Sequence, residues 1–561
     1  MSENKKNNFV PFESIGLCFS GGGYRATFYS LGTLCYLNEI NYKGKPLLEA
    51  VKALSTVSGG TLAGVGYTKA VQDPSFEFKK FFQEFYNTFT PENDKLLETA
   101  VKKLEDPAVW KANPYKKRSL INSFALTYAD MPIFQGSFEN LKEDQIRQLE
   151  QVCFNATDFS FGMTYRFQNT GYFGNNPLYT NNKKEVDALR YQIQLADCIA
   201  SSSCFPLGFE PLVFPDDYFK DHNSTEYKNL KGLDDYINGV GIMDGGIADN
   251  QGIGSMMLIS RRMNNDLDLI MVNDVGSYKM QPWEPDTTKL GKSSNLNGAI
   301  HKFLEYFTIK PLYWITLLLG IIILVANSFL EMNGKSWTGM NIVGGAILGI
   351  GTLLTTVGLV ASIIKKVITG RAKKLLEKNI PESLLDDVLS FKTLPIDLIQ
   401  RMLTERMTSA SKMINDVFLK QLRRLNYKLF YSKASLDNRR LTSTVYKLNG
   451  QKTAYADGKY NPDINPQPST SLKSVALTAS ETATTLWWSE EDIAKNRMDT
   501  LIACGGFTAC YELMDYILKL KEADPPVLDD FTEIDELYAA LEKDWKAFNV
   551  TPLWLVEKLK K

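Results

Sequence analysis

The chain has 561 residues, with 63 basic and 64 acidic side chains and a formal net charge of -1, so no overall bias draws it toward nucleic acid or another polyanion. Its length fits three or four domain equivalents, or one large α/β domain with insertions, and 44% apolar residues suffice for a substantial core. Seven scattered cysteines without a C-x-x-C pair, and a polar N-terminal stretch without an apolar leader, lead us to expect a reducing compartment.

Residues 15–19 (IGLCF) read as a short buried strand, and Phe28, Leu31, Leu34, Cys35 and Leu37 recur at helical spacing. Between them lies Ser20-Gly21-Gly22-Gly23. A strand, a glycine loop and a helix start point free backbone N–H groups at a negative charge, either a phosphate or an oxyanion formed in acyl transfer. A nucleotide P-loop would need Gly-Lys-Ser/Thr, which is absent, and Gly21, Gly23 and Ala26 fit only the loose form of a dinucleotide fingerprint.

Residues 51–70 repeat strand, turn and helix, with Ser58 at the turn and Gly59, Gly60 and Gly64 after it. This is the layout of a nucleophile elbow. The pattern reads Thr56-Val57-Ser58-Gly59-Gly60, so the first glycine of G-x-S-x-G is replaced by threonine. A structural serine capping a helix fits the same letters. A nucleophilic serine needs a base. The two histidines are His222, in a polar loop, and His301, before the first long apolar run. A Ser-His-Asp triad would have to use one of them; a carboxylate would not. Residues 239–253 (GVGIMDGGIADNQGI) offer Asp244 at a strand end, followed by Gly245 and Gly246. There it either takes a proton from serine or serves as an ordinary Asp-Gly turn.

Residues 311–330 and 339–364 each carry no charge, and each is long enough to cross a hydrocarbon core of about 30 Å. The short link between them makes a helical hairpin over 301–372. Lys302 and Lys310 before it, and Lys365, Lys366, Arg371, Lys373 and Lys374 after it, place both flanks on the cytoplasmic side. Gly345 and Gly349 form a small-xxx-small pair suited to close helix packing, and to self-association of the chain. Residues 373–448 read as a helical segment, 449–486 as a Gly/Pro/Asn/Ser-rich loop, and 487–561 as C-terminal helices. No zinc-ligand cluster, calcium loop or basic patch is visible, so no metal, cofactor or nucleic acid is expected.

In order, these motifs resemble the patatin-like phospholipase family. Ser20–Arg25 is similar to its glycine-rich oxyanion loop, Ser58 to its nucleophile and Asp244 to its catalytic Asp-Gly-Gly. Residues 153–167 and 195–212 look like its Asn-Ala-Thr strand pair and its helix with a Phe-Pro turn. The resemblance implies a three-layer α/β fold with a mainly parallel central sheet, residues 1–300 forming most of the core. It implies a Ser–Asp dyad without histidine, and an oxyanion hole drawn from Gly21, Gly22, Gly23, Arg25 and Gly59. The expected activity is hydrolysis of phospholipid or lysophospholipid esters by an integral membrane protein with two spans and its catalytic domain in the cytoplasm. A transacylase or triacylglycerol lipase on the same dyad, and a non-catalytic scaffold, are the alternatives.

Overall fold

The computed structural model describes residues 9–142, 147–175, 183–206, 208–233, 236–264, 266–276, 311–331, 337–368, 396–451, 460–523, 527–528 and 530–561. The chain divides into two compact units, one made of residues 1–280 with 418–561 and the other of residues 281–417.

The first unit is built on an eight-stranded sheet. Its strands are β1 (Ile15–Phe19), β2 (Val51–Val57), β3 (Gln151–Asp158), β4 (Met163–Gln168), β5 (Leu212–Phe214), β6 (Val240–Asp244), β7 (Leu269–Asp274) and β8 (Arg440–Thr444). The order is β8-β7-β1-β2-β3-β6-β5, with β4 also on β3. The five strands from β8 to β3 run parallel, while β4, β5 and β6 join by antiparallel pairing. Both faces are covered, as parallel sheets require. Leu17, Phe19 and Leu54 face one apolar core, while Cys18, Ala53, Ile270 and Val272 face the other.

Seven helices matter to the site: α1 (Gly23–Glu39), α2 (Gly59–Ala70), α3 (Leu195–Ser202), α4 (Ile253–Arg262), α5 (Leu419–Ser432), α6 (Thr470–Ser480) and α7 (Arg497–Lys521). On one face α1 and α7 cross closely: a Cβ on Gly32 would meet the carbonyl of Ile502, and one on Gly505 the carbonyl of Tyr29. The opposite face holds Ile253, Met256 and Ile259 of α4 and Phe430 of α5.

Two expectations need correction. The segment 373–448 is not wholly helical: Arg440–Thr444 is the eighth strand, in parallel register with β7. Its Arg-Leu-Thr-Ser-Thr alternates half-buried and buried positions, a two-residue period that favours a strand once a partner edge is offered. The stretch 449–486 is not all loop either. Ser469 accepts the Leu472 N–H and starts α6, whose Leu472, Ala476 and Ala479 are buried; a side-chain cap and a packed stripe overcome the turn-rich composition.

In the second unit, helices Pro311–Glu331 and Thr338–Ile368 pack against each other. Gly320 abuts Leu348 backbone, Gly351 abuts Leu317 backbone, and Asn327 donates to Asn341 at 2.9 Å. Among the described residues, nothing lies within 4 Å of where a Cβ on Gly345 or Gly349 would stand, so the hairpin's own crossing uses other small residues. Among the described residues, three helical segments are long and apolar enough to cross a membrane: Tyr313–Leu330, Gly339–Thr356 and Arg497–Lys521. The third is 94% buried within the protein.

Candidate active site

Strand β3 brings the two key side chains together. Its Cys153–Asp158 stretch pairs with β4 along one edge. Along the other edge it pairs first with β2, up to Val57 opposite Asn155, and then with β6, from Asp244 opposite Ala156. β2 runs parallel to β3 and β6 antiparallel, so the two strands point their C-terminal ends at each other. Ser58 follows one end and Asp244 is the other.

The Ser58 hydroxyl donates to Asp244 Oδ2 at 2.7 Å. Ser58 has φ 49 and ψ -125, a conformation rare for a residue with a Cβ and concentrated at functional sites. Asp244 Oδ1 accepts the Gly246 N–H at 2.7 Å. The Asp244 backbone is pinned by its N–H to the Cys204 carbonyl, 2.9 Å, and by Thr157 Oγ1 on its own carbonyl, 2.7 Å. Burial pushes the carboxyl from 3.8 up to about 7, partly offset by the Gly246 N–H and the Ser58 hydroxyl. Such a carboxyl is poised to exchange a proton near neutrality.

The threonine in place of the usual elbow glycine has a local answer. A Cβ on Gly64 of α2 would lie under 3.0 Å from Thr56 Cγ2, so a glycine on the facing helix makes room for the threonine. Thr56 Oγ1 shares a hydrogen bond with Thr61 at 2.9 Å. Thr61 in turn meets Ser202 Oγ at 2.8 Å, which accepts the Ser58 N–H at 2.8 Å and donates to the Asn155 carbonyl. Asn155 Nδ2 donates to the Thr56 carbonyl and to Ser55 Oγ. Ser202 and Asn155 therefore brace the elbow. Nothing in the local sequence marks out Ser202 or Asn155, because the elbow residues they brace lie 99 to 144 residues away.

The glycine loop sits beside this elbow. A Cβ on Gly21 would be 3.1 Å from Ser58 Cβ. α1 starts at Gly23 and α2 at Gly59, and Thr27 Oγ1 bridges the carbonyls of both, at 3.2 and 2.7 Å. A Cβ on Gly59 would strike the Gly23 carbonyl, and one on Gly23 the Thr484 and Thr485 carbonyls, so side chains are excluded at both. Among the described residues no backbone carbonyl takes the N–H of Gly22, Gly23 or Gly59. These are helix-start donors, whose partial positive charge favours an anion.

Two expected members stand differently. The Gly21 N–H donates to the Asn250 carbonyl at 2.9 Å, so it is already spent. Arg25, the third residue of α1, sends Nη1 to the carbonyls of Ser480 and Thr482 at 3.3 and 3.0 Å. Its guanidinium ties α1 to the end of α6. Burial lowers its pKa from the ordinary guanidinium value to about 10. His222 stacks on Tyr227 at 4.3 Å and pairs with the Asp216 carbonyl at 3.0 Å, outside the Ser58–Asp244 cluster. His301 lies outside the described residues. No group of three or more His, Cys, Asp or Glu able to hold a metal occurs among the described residues.

A three-layer α/β unit with a serine elbow, a facing buried aspartate and a glycine loop at two helix starts is of the acyl-hydrolase type. Residues 17–257 match the family model described as patatin-like phospholipase. The chain thus carries a patatin-like domain, which supports lipid acyl hydrolysis in the broad sense. No curated protein matches the sequence.

Proposed function

We propose that the protein is a membrane-anchored serine acyl hydrolase that cleaves ester bonds of phospholipids or lysophospholipids through Ser58 and Asp244. The observation that carries this reading is the 2.7 Å hydrogen bond from Ser58 on its positive-φ turn to Asp244. Asp244, as carboxylate, takes the hydroxyl proton while Ser58 Oγ attacks the ester carbonyl. The tetrahedral oxyanion is held by the N–H groups of Gly22, Gly23 and Gly59; one such donor typically contributes about 3 kcal/mol. As the C–O bond breaks, Asp244 returns its proton to the leaving alkoxide. It then removes a proton from water as the water attacks the acyl-serine, and returns that proton to Ser58 Oγ as the acyl–oxygen bond breaks and the fatty acid leaves. The two helices Tyr313–Leu330 and Gly339–Thr356 are proposed as spans, with the basic flanks holding the catalytic unit at the cytoplasmic face. Gly345 and Gly349, with open space beside them, are proposed as the contact between copies; a Gly349→Ile variant of unchanged size in detergent would argue against it.

The test is fatty-acid release from mixed phospholipid vesicles, read by mass spectrometry, for the native protein, Ser58→Ala and Asp244→Asn. Activity lost in both variants is expected. Fluorophosphonate labelling of Ser58 without any release would turn the reading toward a transacylase. Neither release nor labelling would leave a scaffold.

A further inference from the structure

We propose that the catalytic unit carries a lipid-interface surface of its own, made by residues 159–163 and 236–239, which sets the Ser58–Asp244 end of the sheet against the bilayer; this rests on the acyl-hydrolase reading above. Topology places the surface. Ala156 of β3 is opposite Asp244, and Phe159 lies three residues further along. At about 3.3 Å per residue the β3–β4 turn rises roughly 10 Å past the dyad, at the same end of the sheet. The loop leading into β6 rises with it, since Phe159 N–H donates to the Gly241 carbonyl at 2.8 Å and Gly241 N–H to Ser160 Oγ at 3.0 Å.

Four apolar side chains on this protrusion are open. Phe159 is 64% exposed, Ile237 61%, Phe161 42% and Met163 37%. Phe161 and Tyr236 hold their rings 6.4 Å apart, so the two segments form one patch. No charged residue occurs in 159–163 or 236–241. The exposure is imposed by the backbone: buried Asp158 accepts the N–H of both Ser160 and Phe161 at 2.9 Å, fixing a turn that presents its phenylalanines outward. Phe205, 37% exposed, follows Cys204, whose carbonyl receives the Asp244 N–H. A fixed, uncharged, aromatic-rich protrusion is a costly surface in water and a favourable one at a headgroup–acyl boundary. The same chain supplies two uncharged helices of spanning length, and the substrate proposed for the neighbouring dyad resides in the bilayer. These features commit the surface to lipid rather than to a protein.

The native cysteines are all buried, so a cysteine placed at Phe161 can be labelled selectively. The full chain carrying Phe161→Cys with an NBD label is reconstituted into phosphatidylcholine vesicles, with Val550→Cys (81% exposed) as reference. Brominated phosphatidylcholine is expected to quench the label at 161 and not at 550. Quenching at neither, or equally at both, overturns the proposal. So does a label at 161 shielded from iodide yet untouched by bromolipid, which would mean a protein covers the turn. In parallel, Phe159→Ser/Phe161→Ser is expected to lower vesicle hydrolysis about tenfold or more while p-nitrophenyl butyrate hydrolysis stays unchanged; equal losses on both substrates overturn it. If the unaltered protein hydrolyses neither substrate, the acyl-hydrolase reading fails, and the quenching still decides the surface.

Discussion

Replacing Gly64 by alanine tests whether the elbow depends on the exchange of bulk between Thr56 and α2. In a free helix the change would add about 1 kcal/mol of stability. Here the new methyl would stand under 3.0 Å from Thr56 Cγ2 and 3.3 Å from Thr56 Cβ and Oγ1. Thr56 and Gly64 are both fully buried, and overpacking of this kind costs typically 1–3 kcal/mol. The net expected loss is therefore about 1 kcal/mol, and about 2 kcal/mol at most. Thr56→Ser removes only Cγ2, the worst of the three contacts, and leaves the hydroxyl for Thr61. By itself that change costs about 1 kcal/mol for one buried methyl. Combined with Gly64→Ala it should recover most of the loss, giving a favourable coupling of about 1–2 kcal/mol in a double-mutant cycle. The assay is thermal unfolding of the four proteins in one detergent, with the rate of fluorophosphonate labelling at Ser58 as a second readout. Gly64→Ala as stable and as reactive as the parent, or additive effects in the double variant, would refute the compensation.

Asp244→Asn should abolish hydrolysis and yet raise stability at pH 8. The folded protein holds this carboxyl's proton up to about 7 against 3.8 when free, so the group's contribution is fully present below about pH 4 and is lost as pH rises through 7. The difference corresponds to on the order of 4 kcal/mol at most, and unfolding curves of parent and variant from pH 4 to 8 that run parallel would contradict it. Hydrolysis by the parent should rise with pH through about 7, as the base ionises; a flat profile from 6 to 8 would exclude Asp244 as that base. Gly59→Ala should disable Ser58 labelling, because its Cβ meets the fixed Gly23 carbonyl, whereas Gly162→Ala, with open space but φ +68, should cost only about 1 kcal/mol of stability. Arg423→Ala should destabilise by about 3–5 kcal/mol, because Arg423 Nε and Nη2 meet the fully buried Asp274 Oδ2 at 2.8 and 2.7 Å; a change below 1 kcal/mol in a melting curve would show the pair to be dispensable.

The local pieces around Ser58 were legible because each is a strand, a glycine-bearing turn and a helix in immediate succession. Residues 15–19 are β1 as read, and Ser58 and Asp244 fall at strand ends as their neighbours imply. Their meeting was not legible, since it depends on β2 and β6 sharing one edge of β3 from opposite directions. The role of Arg25 was hidden for a related reason: its position two residues past the glycines places it near the loop in sequence, while its guanidinium answers to carbonyls more than 450 residues on. Asn155 and Ser202 show the same limit, for a hydrogen-bonded brace leaves no periodic trace. The eighth strand escaped notice because Arg-Leu-Thr-Ser-Thr has one strongly apolar residue; it is a strand because β7 offers an edge.

That edge has a consequence for the order in which the protein is made. The patatin-like region ends at 257, and β7 is complete at Asp274, yet its outer partner β8 and its counter-charge Arg423 lie beyond both long apolar helices. On the ribosome, β7 emerges with a row of unpaired N–H and C=O groups and with a carboxylate that has no cation. Open parallel edges of this kind recruit other chains. Translation must deliver the whole hairpin before this edge can close. The nascent chain therefore has both apolar helices available to a membrane before its hydrolase sheet is finished, and a fragment released before residue 423 would be incomplete at the strand end that hydrogen-bonds Ser20, through Asn273 and Val275, ahead of the glycine loop. The order of the chain itself puts both apolar helices ahead of the strand that completes the sheet.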